Sequence, residues 1–238
     1  PRALNQAERA QWRAQLDADP KAVRKDLPDL CEWLLATGVR IGEALAVGWD
    51  ELEVPGLVRI DWTLTRLKGQ GLARKSTKSE AGERVLPLPD FAVALVERRR
   101  AARLGDALPL FPDSRGGWRD PSNTSRDLRE ARGSEGFGWV TSHVFRKTCA
   151  TILDDAGLSA RMIADQLGHA QPSMPQNIRS IIYLESKGYC RGFQGSCGVG
   201  HSSPNGHSST SEVKMPSLKR PEGRKSLLGH AYVRERNP

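Results

Sequence analysis

The sequence predicts a mainly α protein carrying one small antiparallel β-sheet, an α+β fold. Three observations carry this reading. Capped or amphipathic runs at helical spacing recur from Asn5 to Ala36 and from Phe91 to Leu167. A strict alternation of apolar and polar residues is confined to Val58–Leu64, with a second short run at Arg84–Leu88. The 238 residues are 38% hydrophobic and include six Trp, enough to build a real core.

The elements follow in chain order. Asn5 with Glu8 three residues on forms a capping box, opening a helix through Leu16. A second helix is expected from Ala22 to Ala36, with Leu27, Leu30, Leu34 and Leu35 on its apolar side and Gly38 as its stop. A short helix from Ile41 to Val47 follows at once, which leaves Arg40 at a helix start, where unpaired backbone N–H groups point outward. Val58, Ile60, Trp62 and Leu64 form one half-buried strand, and Arg84 to Leu88 its antiparallel partner. Between them, the Gly- and Lys-rich stretch from Lys68 to Gly82 reads as a mobile basic hairpin. Asp90 is expected to cap a helix from Phe91 to Leu104. Residues 109–121 read as a loop, and a helix near Ser122–Arg132 follows. The last pattern is a helix pair, Ser142–Ala156 and Ser159–Leu167, split at Gly157.

Beyond His169 the character changes. No Trp remains, Ser and Gly cluster from Gly192 to Ser211, and periodicity fades, so disorder is expected from about residue 190. The formal charge is +8, but its placement matters more than its size. Residues 1–169 hold 26 Lys and Arg against 24 Asp and Glu, whereas residues 170–238 hold 10 against 4. Charge alone therefore says little about a nucleic-acid partner.

No run approaches the roughly 18 apolar residues of a membrane span, and residues 1–30 lack a secretory signal, so a cytoplasmic location is expected. Cys31, Cys149, Cys190 and Cys197 have no disulfide-framework spacing. Cys190, Cys197, His201 and His207 are potential zinc ligands without the tight spacing of a finger, and neither metal nor cofactor is expected. Pro1 in place of Met leaves room for a preceding domain.

Three separated segments carry the chemistry: Thr37-Gly38-Val39-Arg40-Ile41-Gly42-Glu43-Ala44-Leu45, His143-Val144-Phe145-Arg146-Lys147-Thr148, and Leu167-Gly168-His169-Ala170. A fourth, Thr77-Lys78-Ser79 through Arg84-Val85-Leu86-Pro87-Leu88-Pro89, falls between the first two. In order and spacing the four together resemble the tyrosine recombinases, the family of phage integrases, over about Leu4 to Gln176. The resemblance implies a catalytic-domain fold over residues 1–184, followed by a divergent, basic, Ser- and Gly-containing tail from 185 to 238. It also implies breakage and rejoining of DNA through a 3′-phosphotyrosyl intermediate, as in the integration of a mobile element.

In-line attack on a phosphodiester builds negative charge on the nonbridging oxygens, and a site without metal answers it with fixed cations. Arg40 and Arg146 have the planar fork for two phosphate oxygens. By resemblance, Lys78 protonates the departing 5′ oxygen; the other reading is a solvated lysine or phosphate contact beside Lys68 and Lys75 in one basic hairpin. His143 shares a helix face with Arg146, three residues on, and His169 supplies a further donor. Glu43 reads as support for an arginine.

The family's nucleophile is a tyrosine about nine or ten residues beyond the last histidine, where this chain has Ile178 and Arg179. Tyr183, fourteen residues on in Ile181-Ile182-Tyr183-Leu184, is the candidate if about four residues are inserted before it. The other reading is that residues beyond Gln176 diverge and the enzyme is impaired. The resemblance further implies double-stranded DNA as partner, a homo-tetramer on two duplexes, a missing N-terminal DNA-clamping domain and a nucleoid-associated location. A competing class is a noncatalytic DNA-binding protein, either an inactive remnant or a regulator using Ala150–Leu167 as a helix-turn-helix.

Overall fold

The computed structural model describes residues 2–67, 69–77, 83–103, 105–133 and 136–168. All belong to one compact unit, Pro1–Gly195; a second unit, Ser196–Pro238, lies outside the described residues. The fold is mainly α with small antiparallel sheets, as the sequence predicts.

The first helix, α1 (Gln6–Ala18), opens with the expected capping box: the Asn5 side chain accepts from the Glu8 N–H, and the Glu8 carboxylate accepts from the Asn5 N–H. The single helix expected over residues 22–36 is instead two, α2 (Pro20–Arg24) and α3 (Leu27–Thr37). Pro28 is the reason. Its ring would strike the Arg24 carbonyl in a continuous helix, and the chain turns through Asp26 in the left-handed region, φ 52°. Nine of the eleven residues of α3 are buried, so the helix is the axis of the core rather than a surface element. Trp33 on α3 meets Phe111, while Trp12 on α1 packs edge-on to Phe137 at 5.3 Å and against Phe145.

Gly38 ends α3 with φ 65°, and after Val39 the chain enters α4 (Ile41–Ala46) with Arg40 as its N-cap. A short 3-10 turn, Trp49–Leu52, leads to the strands β1 (Leu57–Ile60), β2 (Trp62–Leu67), β3 (Gly71–Ser76) and β4 (Arg84–Pro87). One continuous strand over 58–64 is not what forms. The chain breaks at Asp61, so β1 pairs antiparallel with β4, while β2 pairs with β3. Within the stretch read as a basic hairpin, residues 71–76 form β3. Arg74 stands between Trp62 and Trp118, 4.8 and 4.5 Å from the ring centroids, and donates to the Ala46 carbonyl and to Glu51. Those contacts fasten β3 to the end of α4.

Helix α5 (Asp90–Ala101) has Pro89, not Asp90, as its N-cap. Asp90 becomes the first helical residue, where its charge complements the helix dipole. After the loop, Asp120 caps α6 (Pro121–Ala131) by accepting from Ser122 and Asn123. The expected terminal pair is present as α7 (Ser142–Asp155) and α8 (Ala160–Leu167), with Gly157 at φ 81° between them. A small apolar cluster of Cys149, Leu153, Ala156 and Leu158, with Met162 and Ile163 against it, holds the pair together. No helix among the described residues is long and apolar enough to cross a membrane.

Candidate active site

The immediate succession of α3 and α4 is what presents Arg40. Its backbone is extended, φ −71° and ψ 153°, and its side chain is 48% exposed at the start of α4. Glu43, one turn on and buried, accepts twice from it: the Arg40 N–H donates to Oε2 at 3.0 Å and Nη1 to Oε1 at 2.8 Å. The same Oε2 accepts from Nη2 of Arg84, a buried guanidinium on β4, at 3.0 Å. Burial opposes the charged form of Glu43, but the Arg84 charge and the hydrogen bonds from Arg40 and Arg84 outweigh it, and the carboxyl lies below its ordinary pKa.

Helix α7 presents His143, exposed in its first turn, and Arg146 one turn further. Arg146 reaches two helix ends. Nη1 donates to the Gly38 carbonyl at 2.8 Å and Nη2 to the Leu167 carbonyl at 2.6 Å. These are the ends of α3 and α8, where helix dipoles favour a cation. Burial, followed by the Arg40 charge, pushes the Arg146 guanidinium down to about 10. It remains protonated at neutral pH.

Both arginines and His143 line one cleft of 510 Å³. Its walls include Val39, Ile41 and Gly42, Thr63 and Thr65 on β2, and Lys75 and Ser76 on β3. Glu43 accepts from both Arg40 and Arg84, its charge also acts on Arg146, and the three guanidinium charges act on one another. The site is therefore net cationic, with donors from two forks: a place for a phosphate-like anion.

Of the residues singled out in the sequence, Arg40, His143 and Arg146 come together here from segments about a hundred residues apart, and Glu43 supports Arg40 as expected. Lys78, His169 and Tyr183 lie outside the described residues, as do Lys68 and the potential zinc ligands Cys190, Cys197, His201 and His207. Sequence reasoning missed Arg84, Thr63 and Thr65 and gave Lys75 no place of its own. A signal for Arg84 existed. Leu86 and Leu88 face inward, and period two puts Arg84 in the same buried row.

The fold and this arrangement define a class. The phage integrase family model matches residues 3–179, and the chain belongs to that family. Among characterised relatives, it is 30% identical over 159 residues to tyrosine recombinase XerC of Rickettsia peacockii (strain Rustic), a match covering 64% of this chain and 47% of the relative. It is 28% identical over 173 residues to tyrosine recombinase XerD of Corynebacterium glutamicum, covering 68% and 52%. The chain thus spans about half the length of the curated relatives it matches.

Solved structures agree in fold. The Tn1549 transposon integrase in complex with circular intermediate DNA superposes with a TM-score of 0.62 at 21% identity, over 77% of this chain and 61% of that one. The XerA recombinase gives 0.55 at 20%, covering 79% and 63%. The lambda integrase catalytic core gives 0.51 at 16%, covering 71% and 96%.

Proposed function

We propose that this chain is the catalytic portion of a site-specific recombinase that breaks and rejoins double-stranded DNA through a 3′-phosphotyrosyl intermediate. The observation that carries the reading is the meeting of Arg40, His143 and Arg146 in one cationic cleft. Arg40 and Arg146 hold the nonbridging oxygens of the scissile phosphate and answer the charge that grows there during in-line attack. His143, at the open side of the same helix face, hydrogen-bonds the phosphate or takes part in proton transfer.

Lys78 protonates the leaving 5′ oxygen, and His169 adds a donor. The Tyr183 phenol, relieved of its proton within the cationic site, attacks phosphorus, so the P–O5′ bond breaks as the phosphotyrosine forms. Attack by a 5′ hydroxyl on that linkage reverses the step and conserves the bond energy, so no ATP is consumed. The resemblance to the XerC and XerD recombinases and to an integrase solved on DNA supports DNA as substrate. Assembly of four protomers and a further DNA-clamping domain belong to the same reading.

The test is incubation of the chain with nicked duplexes of randomised flanking sequence, denaturing electrophoresis, and peptide mapping of any covalent adduct. An adduct on Tyr183 is expected. An adduct on Tyr189 or Tyr232 would reassign the nucleophile, and DNA binding without any adduct would favour the noncatalytic class.

A further inference from the structure

We propose that Arg84 is a positioning residue that sets both phosphate-gripping arginines at once, through Glu43 to Arg40 and through the end of α8 to Arg146. The inference rests on the reading of the cleft as a phosphodiester site.

Its basis is a placement that stability does not explain. The Arg84 side chain is 1% exposed, in the inward row of β4 beside Leu86. Replacing a buried ion pair as a whole by well-packed apolar side chains of similar size is often neutral or stabilising, so the core does not need an Arg84–Glu43 pair for stability. What apolar side chains lack is a planar fork with donors at fixed angles.

Arg84 uses that fork to join two elements. Nη2 donates to Oε2 of Glu43 in α4 at 3.0 Å, and Nε donates to the Gln166 carbonyl in α8 at 3.0 Å. On the first side, Glu43 is the carboxylate that holds Arg40 by its backbone N–H and by Nη1. Because Arg84 draws on the same carboxylate, Arg40 is held without being fully neutralised, and charge remains for a phosphate. On the second side, the bond falls one residue before Leu167, whose carbonyl receives Nη2 of Arg146. Gln166 is itself tied to α3, its amide donating to the Thr37 carbonyl at 3.2 Å, next to the Gly38 carbonyl that receives Nη1 of Arg146. Arg84 never reaches the cleft lining, yet both grips hang on groups it fixes.

The test needs neither a target sequence nor cleavage. Dimethyl phosphate, the smallest phosphodiester, is titrated into the full chain carrying isotope-labelled arginine, with trimethyl phosphate as the neutral control. In the unsubstituted chain the guanidinium signals of Arg40 and Arg146 are expected to move with dimethyl phosphate only. Arg84→Met and Arg84→Lys should each weaken that binding by about ten-fold, with the near-ultraviolet circular dichroism unchanged. The lysine keeps the charge but not the fork, so full rescue by Arg84→Lys would overturn the proposal.

If the Arg84 variants do not fold, Glu43→Gln cuts the same link and decides: a comparable loss supports the proposal, and unchanged binding refutes it. Where all fold, Arg84→Lys combined with Glu43→Gln should lose no more than about the larger single effect, because the two act in one chain of contacts. A simple sum of the losses would mean that Arg84 does not act through Glu43. Failure of the unsubstituted chain to distinguish the two phosphates would remove the phosphodiester reading itself, and this inference with it.

Discussion

At Arg146 two guanidinium nitrogens are committed to backbone carbonyls, whereas at Arg40 one is committed to a carboxylate on its own short helix. Substitution should therefore separate grip from stability. Arg40→Ala and Arg146→Ala are each expected to lower the single-turnover rate of adduct formation by about two to three orders of magnitude, the scale for removing a donor from a developing oxyanion. Only Arg146→Ala should also cost about 1–3 kcal/mol in urea unfolding, because it strips hydrogen bonds from the Gly38 and Leu167 carbonyls. Equal stability losses would show that Arg146 is not the tie between α3 and α8.

Lys78 and Lys75 separate by chemistry. Lys78→Ala should fail on ordinary DNA and recover when the 5′ leaving atom is sulfur, which departs without a proton, while Lys75→Ala, at the cleft wall, should be impaired on both substrates alike. Glu43 gives a pH signature. Its folded carboxyl lies below the unfolded value, so the stability it contributes is full above the usual carboxylate range and is lost as pH falls through the lowered folded value. Urea-unfolding free energies of the native chain and of Glu43→Gln should differ at neutral pH and converge on acidification. A constant gap would exclude ionisation as the source. Arg40, His143 and Arg146 were legible in the sequence because each sits in a compact local motif. The burial of Arg84 could be read from its strand, but its role could not, because its partners lie 41 and 82 residues away and only the fold joins them.

Among the elements, α4 decides whether the cleft exists, and its distance from β2 is set by a missing side chain. A Cβ on Gly42 would lie 2.8 Å from Thr63 Oγ1 and 2.9 Å from the Leu64 carbonyl oxygen. The threonine can rotate; the carbonyl cannot. Helix propensity favours Ala over Gly by about 1 kcal/mol, but overpacking against backbone costs about 1–3 kcal/mol, so the steric term prevails. Gly42→Ala is expected to destabilise the chain and to shift α4, with Arg40 and Glu43 on it, away from Thr63 and Thr65. Unchanged thermal stability and unchanged dimethyl phosphate binding would mean that α4 tolerates the displacement. Helical period located most of the helices, because their apolar stripes and caps are local. The break at Asp26 had a signal in Pro28 that a continuous helix over residues 22–36 overlooks, whereas the break at Asp61 had none. The first follows from one proline against one carbonyl. The second depends on which strand each half of the alternation pairs with, and period two is blind to the partner.

Over the whole molecule, most of the excess positive charge lies outside the stretch that builds the cleft. Residues 1–169, which include the cleft, carry 26 basic side chains against 24 acidic ones, while residues 170–238 carry 10 against 4. Nonspecific affinity for DNA follows the number of phosphates neutralised, and each contributes about 0.9 to the slope of log affinity against log salt. A chain ended after Leu184 loses nine basic and four acidic residues but none of Arg40, His143, Arg146, Lys78, His169 or Tyr183. The truncated chain should therefore bind random duplex more weakly and with a shallower salt dependence, yet form the covalent adduct at an unchanged single-turnover rate once DNA is saturating. Mobility-shift titrations across a salt series, run beside the adduct assay, separate the two effects. If truncation leaves the salt slope unchanged and abolishes the adduct, residues 185–238 belong to the catalytic machinery, and the nucleophile must be sought at Tyr189 or Tyr232 rather than at Tyr183.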